Sequence, residues 1–156
     1  MTREELEAEG HELVLDGFDE AIAFRLGEIL IGLSAGPRLP VVIDIRTANR
    51  TLFHVALPGS TPLNDLWAQR KSNVALVFHE ASLAVGTRNR AKGQTLADQG
   101  LSEATHADHG GAVPIRVRGT GVVAVATVSG LPQVDDHKLV VQGIRALIAE
   151  RLQGKP

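Results

Sequence analysis

The chain has 156 residues, of which 44% are hydrophobic and 22% are charged, and its formal net charge is -2 at pH 7. This size and composition are typical of one globular domain, so we predict a single domain over 1–156. The balanced charge gives no reason to expect nucleic acid or an anionic membrane as a partner. The absence of cysteine and tyrosine excludes disulfides, thiolate catalysis and tyrosine ligands.

The N-terminal residues suggest a location as well as a structure. Residues 1–10 are polar and charged, which is unlike a signal peptide and predicts an arm or a short helix. No apolar stretch approaches the roughly 20 residues that a membrane-spanning helix needs. We therefore expect a cytoplasmic protein with neither membrane nor nucleic acid as a partner.

The first half of the chain predicts a strand, a helix and a hairpin. Residues 11–15 are typical of a short strand. Asp19 is a typical helix N-cap, and the apolar residues that follow recur with helical spacing as far as a Gly-Pro pair. Residues 41–46 and 51–57 then predict two strands. The four turn-like residues between them are too few for a parallel crossover, so the strands should pair antiparallel.

A long helix and an irregular segment are predicted next. Thr61 and Pro62 form a strong helix start, with threonine as N-cap and proline at the first helical position. Apolar residues then keep a helical period for about six turns, as far as Ala81. Residues 86–105 are polar and predict mostly irregular structure, with a short helix near Gln94–Gln99.

The last third of the chain predicts a second hairpin and a final helix. Two apolar runs, residues 113–118 and 121–128, are separated by a Gly-Thr-Gly turn and should pair antiparallel. The final helix starts near Asp135 and ends before a frayed tail at residues 153–156. In such a hairpin, the loop before the first strand and the loop after the second lie at one end of the sheet. Their polar residues should therefore lie near one another: His106, His109, Ser129, Asp135, Asp136 and His137.

Together these elements predict an α+β fold with an antiparallel five-stranded sheet and helices on its faces. Ordered motifs add a resemblance to a known family. They are Val42-Ile43-Asp44-Ile45 followed by Leu52-Phe53-His54, Leu57-Pro58-Gly59-Ser60-Thr61-Pro62, Asn64-Asp65-x-Trp67-x-x-Arg70-Lys71, His109-Gly110-Gly111-Ala112-Val113-Pro114-Ile115 and Val128-Ser129-Gly130-Leu131-Pro132-Gln133-x-Asp135-Asp136-His137. In this order they resemble the GlcG/HbpS-like family, also called the haem-degrading-domain family, and within it a subgroup classed as an uncharacterised protein family.

The resemblance implies a profilin-like α/β/α sandwich that assembles into homo-oligomers, as dimers or assemblies of dimers. Some members of the family bind haem, so haem is a candidate cofactor, whereas others act as partners of unrelated proteins. Because cysteine and tyrosine are absent and Met1 is the single methionine, an axial haem ligand would be a histidine. The candidates are His54, His79 and His109.

Candidate ligand-binding residues come from one helix and two loops. Trp67 lies one turn before Arg70, which predicts a cation–π contact in the core or at an interface. Arginine also binds carboxylates in a bidentate manner, and glycines beside a histidine allow close approach to the backbone. The ligand-binding candidates are Trp67, Arg70, Lys71, His109, Gly110, Gly111, Ser129 and Gly130.

Three functional hypotheses stay open. In the first, the protein binds a small ligand, haem or a small organic acid, at one end of the sheet near a subunit contact. In the second, it is an enzyme in which a carboxylate orients a histidine base. In the third, it is a structural or adaptor protein without small-molecule activity. The catalytic candidates of the second hypothesis are His109, Asp135, Asp136 and His137.

Two further kinds of site are not expected. Ser129 lacks the Gly-x-Ser-x-Gly context of a nucleophile elbow, which argues against a serine hydrolase. The loop from His106 to His109 offers fewer convincing ligands than a tetrahedral zinc site needs, so no metal site is predicted.

Overall fold

The computed structural model describes residues 1–154 as helices packed on a five-stranded sheet. The elements are α1 (Arg3–Glu12), β1 (Val14–Leu15), α2 (Glu20–Ala35), β2 (Val42–Arg46), β3 (Thr51–Ala56), α3 (Pro62–Phe78), α4 (Ser82–Lys92), a 3-10 turn (Ala97–Gln99), β4 (Ala112–Val117), β5 (Gly121–Ser129) and α5 (Gln133–Gly154). Helix α5 includes the first two residues of the predicted frayed tail, and residues 155–156 lie outside the described part. None of the described helices is long and apolar enough to cross a membrane.

The sheet has the strand order β1-β4-β5-β2-β3. Both predicted hairpins form, β2 with β3 and β4 with β5, and the central pair β2 and β5 is also antiparallel. At one edge, however, β1 pairs with β4 in parallel, so the predicted antiparallel sheet is in fact mixed. The error has a physical cause. A two-residue strand followed by a helical connection gives no local signal for its orientation, whereas a short turn requires an antiparallel pair.

Helices cover both faces of the sheet, which confirms the α/β/α sandwich. On one face α2 and α5 pack over buried apolar residues that include Val41, Ile43 and Ile45. On the other face α3 packs closely on β5 through small side chains. There the hydroxyl groups of Ser72 and Thr127 form a buried 2.8 Å hydrogen bond. This close approach places α3 beside the loop that follows β5.

Two predicted elements have different bounds. The expected strand at residues 11–15 contains only Val14–Leu15, because His11 and Glu12 form the last turn of α1. The expected six-turn helix ends at Phe78, where His79 takes a left-handed conformation with φ of 57°. A separate helix, α4, occupies part of the segment that was predicted to be irregular.

Candidate functional site

The two loops that the second hairpin was predicted to bring together do meet. The N–H of Gly110 donates to Gln133 Oε1 at 2.9 Å, and the N–H of Val128 donates to the carbonyl of Gly111 at 3.0 Å. Gly111 has a φ of +141°, and a Cβ atom there would lie 2.4 Å from the Val128 carbonyl oxygen. Only glycine therefore lets the loop at residues 109–111 lie this close to the end of β5.

A pocket of about 270 Å³ lies between these loops and α3. Helix α3, the loop before β4, the loop after β5 and the first turn of α5 all contribute to its walls. Its lining residues are Asn64, Trp67, Lys71, His109, Ser129, Gly130, Leu131, Gln133 and Asp136. Five of the predicted ligand-binding candidates are among them, while Arg70 and Gly110 each adjoin a lining residue in sequence and Gly111 lies two residues after His109.

Trp67 forms a wall of this pocket and is held on two sides. The guanidinium carbon of Arg70 lies 4.3 Å from the centroid of the indole ring, which confirms the predicted cation–π contact. The His109 ring meets the indole edge-on, with centroids 5.2 Å apart and ring planes at 80°. Arg70 is itself fixed, because its Nε donates to the carbonyl of Glu103 at 3.0 Å. The indole therefore presents a rigid apolar surface.

The floor of the pocket is a buried ion pair that the sequence did not predict. Lys71 Nζ lies 2.8 Å from Asp136 Oδ2, and the two side chains are 6% and 1% exposed. Asp136 also accepts hydrogen bonds from the backbone N–H groups of Leu131 and Gly130, at 2.9 Å and 3.3 Å. Burial raises the pKa of Asp136, and the Lys71 ammonium and these two donors act in the opposite direction. The pair thus links α3, α5 and the loop after β5.

Lys71 retains capacity to bind a ligand. Its ammonium group donates to Asp136 and approaches the Val128 carbonyl at 3.5 Å. An ammonium group has three N–H donors, so among the described residues one donor has no protein acceptor. Because Lys71 lines the pocket, an acceptor atom on a bound molecule can take this hydrogen bond.

His109 lies among charged groups of both signs. Burial lowers the pKa of His109, and the cationic groups of Arg90, Lys71 and Arg70 lower it further, while Asp108 raises it. The imidazole is therefore neutral at pH 7. Of the three cations, Lys71 is paired with Asp136 and Arg90 lies 4.0 Å from Asp108, so Arg70 is the one without a carboxylate partner among the described residues.

Several predicted site residues lie elsewhere. His106 Nδ1 bonds to the hydroxyl of Thr105 at 2.8 Å, and Asp135 is exposed to solvent. The side chain of His137 is buried against Glu9, with 2.6 Å between Nε2 and Oε1. The prediction that an aspartate next to His137 orients it as a base was wrong. Consecutive helical residues project about 100° apart, so Asp136 and His137 face different neighbours.

The three candidate haem ligands differ in availability. His54 has both ring nitrogens engaged, with Asp44 at 2.6 Å and Asp65 at 2.7 Å. His79 is exposed at the end of α3 and does not line the pocket. Of the three, His109 is the one in the pocket. Within residues 1–154 no group of three or more His, Asp or Glu side chains is arranged to hold a metal ion.

Comparison with solved structures identifies similar folds. The Ybr137w protein superposes with a TM-score of 0.89 at 33% identity, covering 98% of this chain and 91% of that one. HbpS superposes with a TM-score of 0.69 at 17% identity, over 84% of this chain and 89% of that one. The PduOC–haem complex superposes with a TM-score of 0.70 at 17% identity, over 85% of this chain and 95% of that one. The two matches at 17% identity show a shared fold.

Sequence comparison identifies the family. The family model described as "Haem degrading protein HbpS-like" matches residues 18–145. A UPF0303 protein of Streptomyces coelicolor is 46% identical over 147 residues, which cover 94% of this chain and 93% of that protein. A UPF0303 protein of Burkholderia thailandensis is 48% identical over 135 residues, covering 86% and 82%. The chain therefore belongs to the HbpS-like haem-degrading protein family and, within it, to the uncharacterised UPF0303 group.

Proposed function

We propose that this protein binds a small organic acid in the pocket between α3 and the two loops. The observation that carries the proposal is the third N–H of Lys71, which has no acceptor among the described residues and belongs to a side chain that lines the pocket. This N–H can donate a directed hydrogen bond to a carboxylate, and the nearby Arg70, which has no carboxylate partner among the described residues, adds attraction for an anion. Trp67 and Leu131 supply the apolar surface for a carbon skeleton.

The size of the pocket limits the ligand. Its volume of about 270 Å³ lies just below the roughly 300–1,000 Å³ that is typical of sites for drug-sized molecules. We therefore infer a metabolite-sized acid of a few carbon atoms. His109 is exposed and Trp67 is half-buried, whereas Lys71 and Asp136 are buried, so we infer that an acid enters past the two rings without rearrangement of the ion pair.

Haem is the second candidate ligand, and family membership favours it. A structural neighbour, PduOC, was solved as a complex with haem. In the present chain, His109 could supply a nitrogen ligand, but a porphyrin is larger than the pocket that His109 lines. The residues of one chain therefore do not fit haem as an enclosed cofactor, and we rank a small acid above it.

We also propose that the protein is a cytoplasmic homo-oligomer with a subunit contact beside the pocket. Helix α3 exposes large apolar side chains on the flank next to Trp67. Leu63, Leu66 and Val77 are 60%, 58% and 54% exposed, and their spacing of 3 and 11 residues places them on one face of the helix. Leu63 and Leu66 line one shallow surface together, and a contiguous exposed apolar patch favours a protein interface.

The proposal can be tested by thermal shift and calorimetry with glycolate, lactate, pyruvate and benzoate. We expect at least one of the three small aliphatic acids, glycolate, lactate or pyruvate, to raise the Tm and to bind the wild-type protein saturably at the first pocket, whereas benzoate serves as a larger comparison acid that His109→Ala should not affect. His109→Ala should weaken binding by about tenfold, on the scale of one lost polar contact in a pocket. His106→Ala is the matched control, because His106 lies in the same loop outside the pocket.

A hemin titration that follows the Soret band separates the two ligands. A saturable shift at one haem per subunit or per dimer, lost in His109→Ala, would replace the acid with haem. If no acid shifts the Tm, or if His109→Ala and His106→Ala behave alike, this pocket is not the binding site.

A further inference from the structure

A second and larger cavity, of about 510 Å³, lies between α1, α4 and β4. It shares no lining residue with the pocket of the proposed function. Its volume is within the range of roughly 300–1,000 Å³ in which small-molecule sites occur. Three features of its walls indicate a ligand: a buried polar atom without a partner, a cation without a carboxylate and an apolar wall between them.

The buried polar atom belongs to His137, which lines the cavity and is 1% exposed. Its Nε2 is 2.6 Å from Glu9 Oε1, whereas its Nδ1 has no hydrogen-bond partner. In the described part of the chain, no other buried side-chain nitrogen or oxygen lacks a partner. Burial lowers the pKa of His137, so the ring carries one proton at neutral pH, and the carboxylate holds that proton on Nε2. Nδ1 is therefore a bare acceptor that needs a donor.

The cation is Arg116, at the end of β4. Two other arginines line the cavity, and both are neutralised by glutamates from the same walls: Arg3 by Glu7 at 3.4 Å and Arg88 by Glu80 at 2.6 Å. Arg116 donates to the backbone carbonyl of His79, and within residues 1–154 it has no carboxylate partner. Its remaining guanidinium donors can bind an anionic group.

The rest of the lining includes apolar side chains such as Leu6, Ala84 and Val113. We propose that this cavity binds a small amphiphilic monoanion, of the class of aromatic hydroxy acids. The hydroxyl group donates to His137 Nδ1, the carboxylate binds Arg116, and the ring contacts the apolar wall. This site is independent of the proposed function, because neither polar anchor contacts the first pocket.

Matched probes test the contact with His137 and the contact with Arg116 separately. We would titrate the full-length protein with 4-hydroxybenzoate and 3-(4-hydroxyphenyl)propanoate, which carry both groups at different separations. Benzoate lacks the hydroxyl group and 4-methylphenol lacks the carboxylate. We expect one bifunctional probe to bind at least about tenfold more tightly than either parent, on the scale of one buried hydrogen bond.

Variants assign the binding to this cavity. His137→Gln keeps a side-chain N–H for Glu9 but has no acceptor at the position of Nδ1, so it should weaken the bifunctional probe by about tenfold and leave benzoate unchanged. Arg116→Gln should weaken the binding of both the bifunctional probe and benzoate. His109→Ala should change the binding of neither acid, and this control distinguishes the cavity from the first pocket. Ala84→Leu fills the cavity without touching a polar group and should abolish binding even if His137→Gln fails to fold.

A second readout follows His137 directly. Long-range ¹H–¹⁵N NMR spectra should show an unprotonated Nδ1 whose resonance moves when the bifunctional probe saturates the protein. If that resonance does not move, water satisfies Nδ1 and the proposal is wrong. It is equally wrong if the bifunctional probes bind no better than benzoate, or if only His109→Ala affects their binding.

Discussion

Replacing Lys71 with methionine should destabilise the fold strongly, because it leaves Asp136 buried without its cation. The two side chains are 6% and 1% exposed, so water cannot replace the lost partner. Removing one member of a buried ion pair costs about 3–5 kcal/mol. For a chain of this length, 1 kcal/mol shifts the Tm by roughly 2–4 °C, so we expect a fall of about 6–20 °C. That loss is a large part of the ~5–15 kcal/mol that stabilises a typical domain.

The effect of Lys71→Met should depend on pH in a defined direction. Burial already raises the pKa of Asp136, and Lys71 opposes that rise, so its removal raises the pKa further. A carboxyl group whose folded pKa is raised contributes stability below its unfolded value, and this contribution is lost as the pH rises through the folded pKa. The deficit relative to wild type should therefore be larger at pH 8 than at pH 5.

Urea unfolding followed by the fluorescence of Trp67, the single tryptophan, measures both effects. Arg118→Met is the matched control, because it breaks an ion pair with Asp16 whose side chains are 71% and 77% exposed. It should change stability little. The double variant Lys71→Met with Asp136→Asn should recover much of the loss, because asparagine removes the buried charge and keeps an acceptor for the backbone N–H groups of the loop after β5. A cost below about 1 kcal/mol at both pH values would refute the assignment of a tightly buried pair.

Three further predictions use the same chain. Gly86→Ala should destabilise the fold by about 1–3 kcal/mol, although alanine favours helices, because its Cβ would lie 1.8 Å from a backbone carbonyl oxygen. Gly32→Ala places its Cβ in open space and should stabilise the fold by about 0.5–1 kcal/mol. The urea midpoints of the two variants test this difference. Burial lowers the pKa of His54, but hydrogen bonds to Asp44 and Asp65 raise it more. The protonated imidazole should therefore stabilise the fold at low pH, and this stabilisation should fade as the pH rises above neutrality. The pH-dependent contribution should be absent in His54→Gln. Leu66→Ser should reduce the solution mass measured by light scattering.

Local signals explain which elements could be predicted from the sequence. Asp19 caps α2 by accepting from the N–H of Ile22 at 2.9 Å, and Thr61 and Pro62 start α3 as expected. The two hairpins were predictable because their turns are short, and short turns require antiparallel neighbours. The alternation of Val41, Ile43 and Ile45 also marked the face of β2 that packs under α2 and α5.

The errors occurred where no local signal exists. His79 ends α3 in a left-handed conformation, for which glycine or asparagine is the usual indicator, so the apolar period simply continued into α4. Val14 and Leu15 pair with Arg116 and Val117, a hundred residues away, and this register is fixed by tertiary packing. Neither feature can be derived from residues within one turn or one strand.

The same distinction separates the predicted and the missed parts of the site. The cation–π contact of Trp67 with Arg70 follows from helical spacing, and the meeting of the two loops follows from hairpin geometry. The buried pair of Lys71 and Asp136 spans 65 residues, and the contact of His137 with Glu9 spans 128. Only the layered arrangement of the helices on the sheet brings these partners together.

The first turn of α5 is the point where the two cavities are closest in sequence. Asp136 faces α3 and fixes the loop after β5, while His137, one residue later, faces α1 and lines the larger cavity. Because adjacent helical residues project about 100° apart, one turn supplies both a pocket floor and a separate acceptor. Both side chains are buried, so each is expected to keep its orientation when the other is replaced. The two binding proposals can therefore succeed or fail separately.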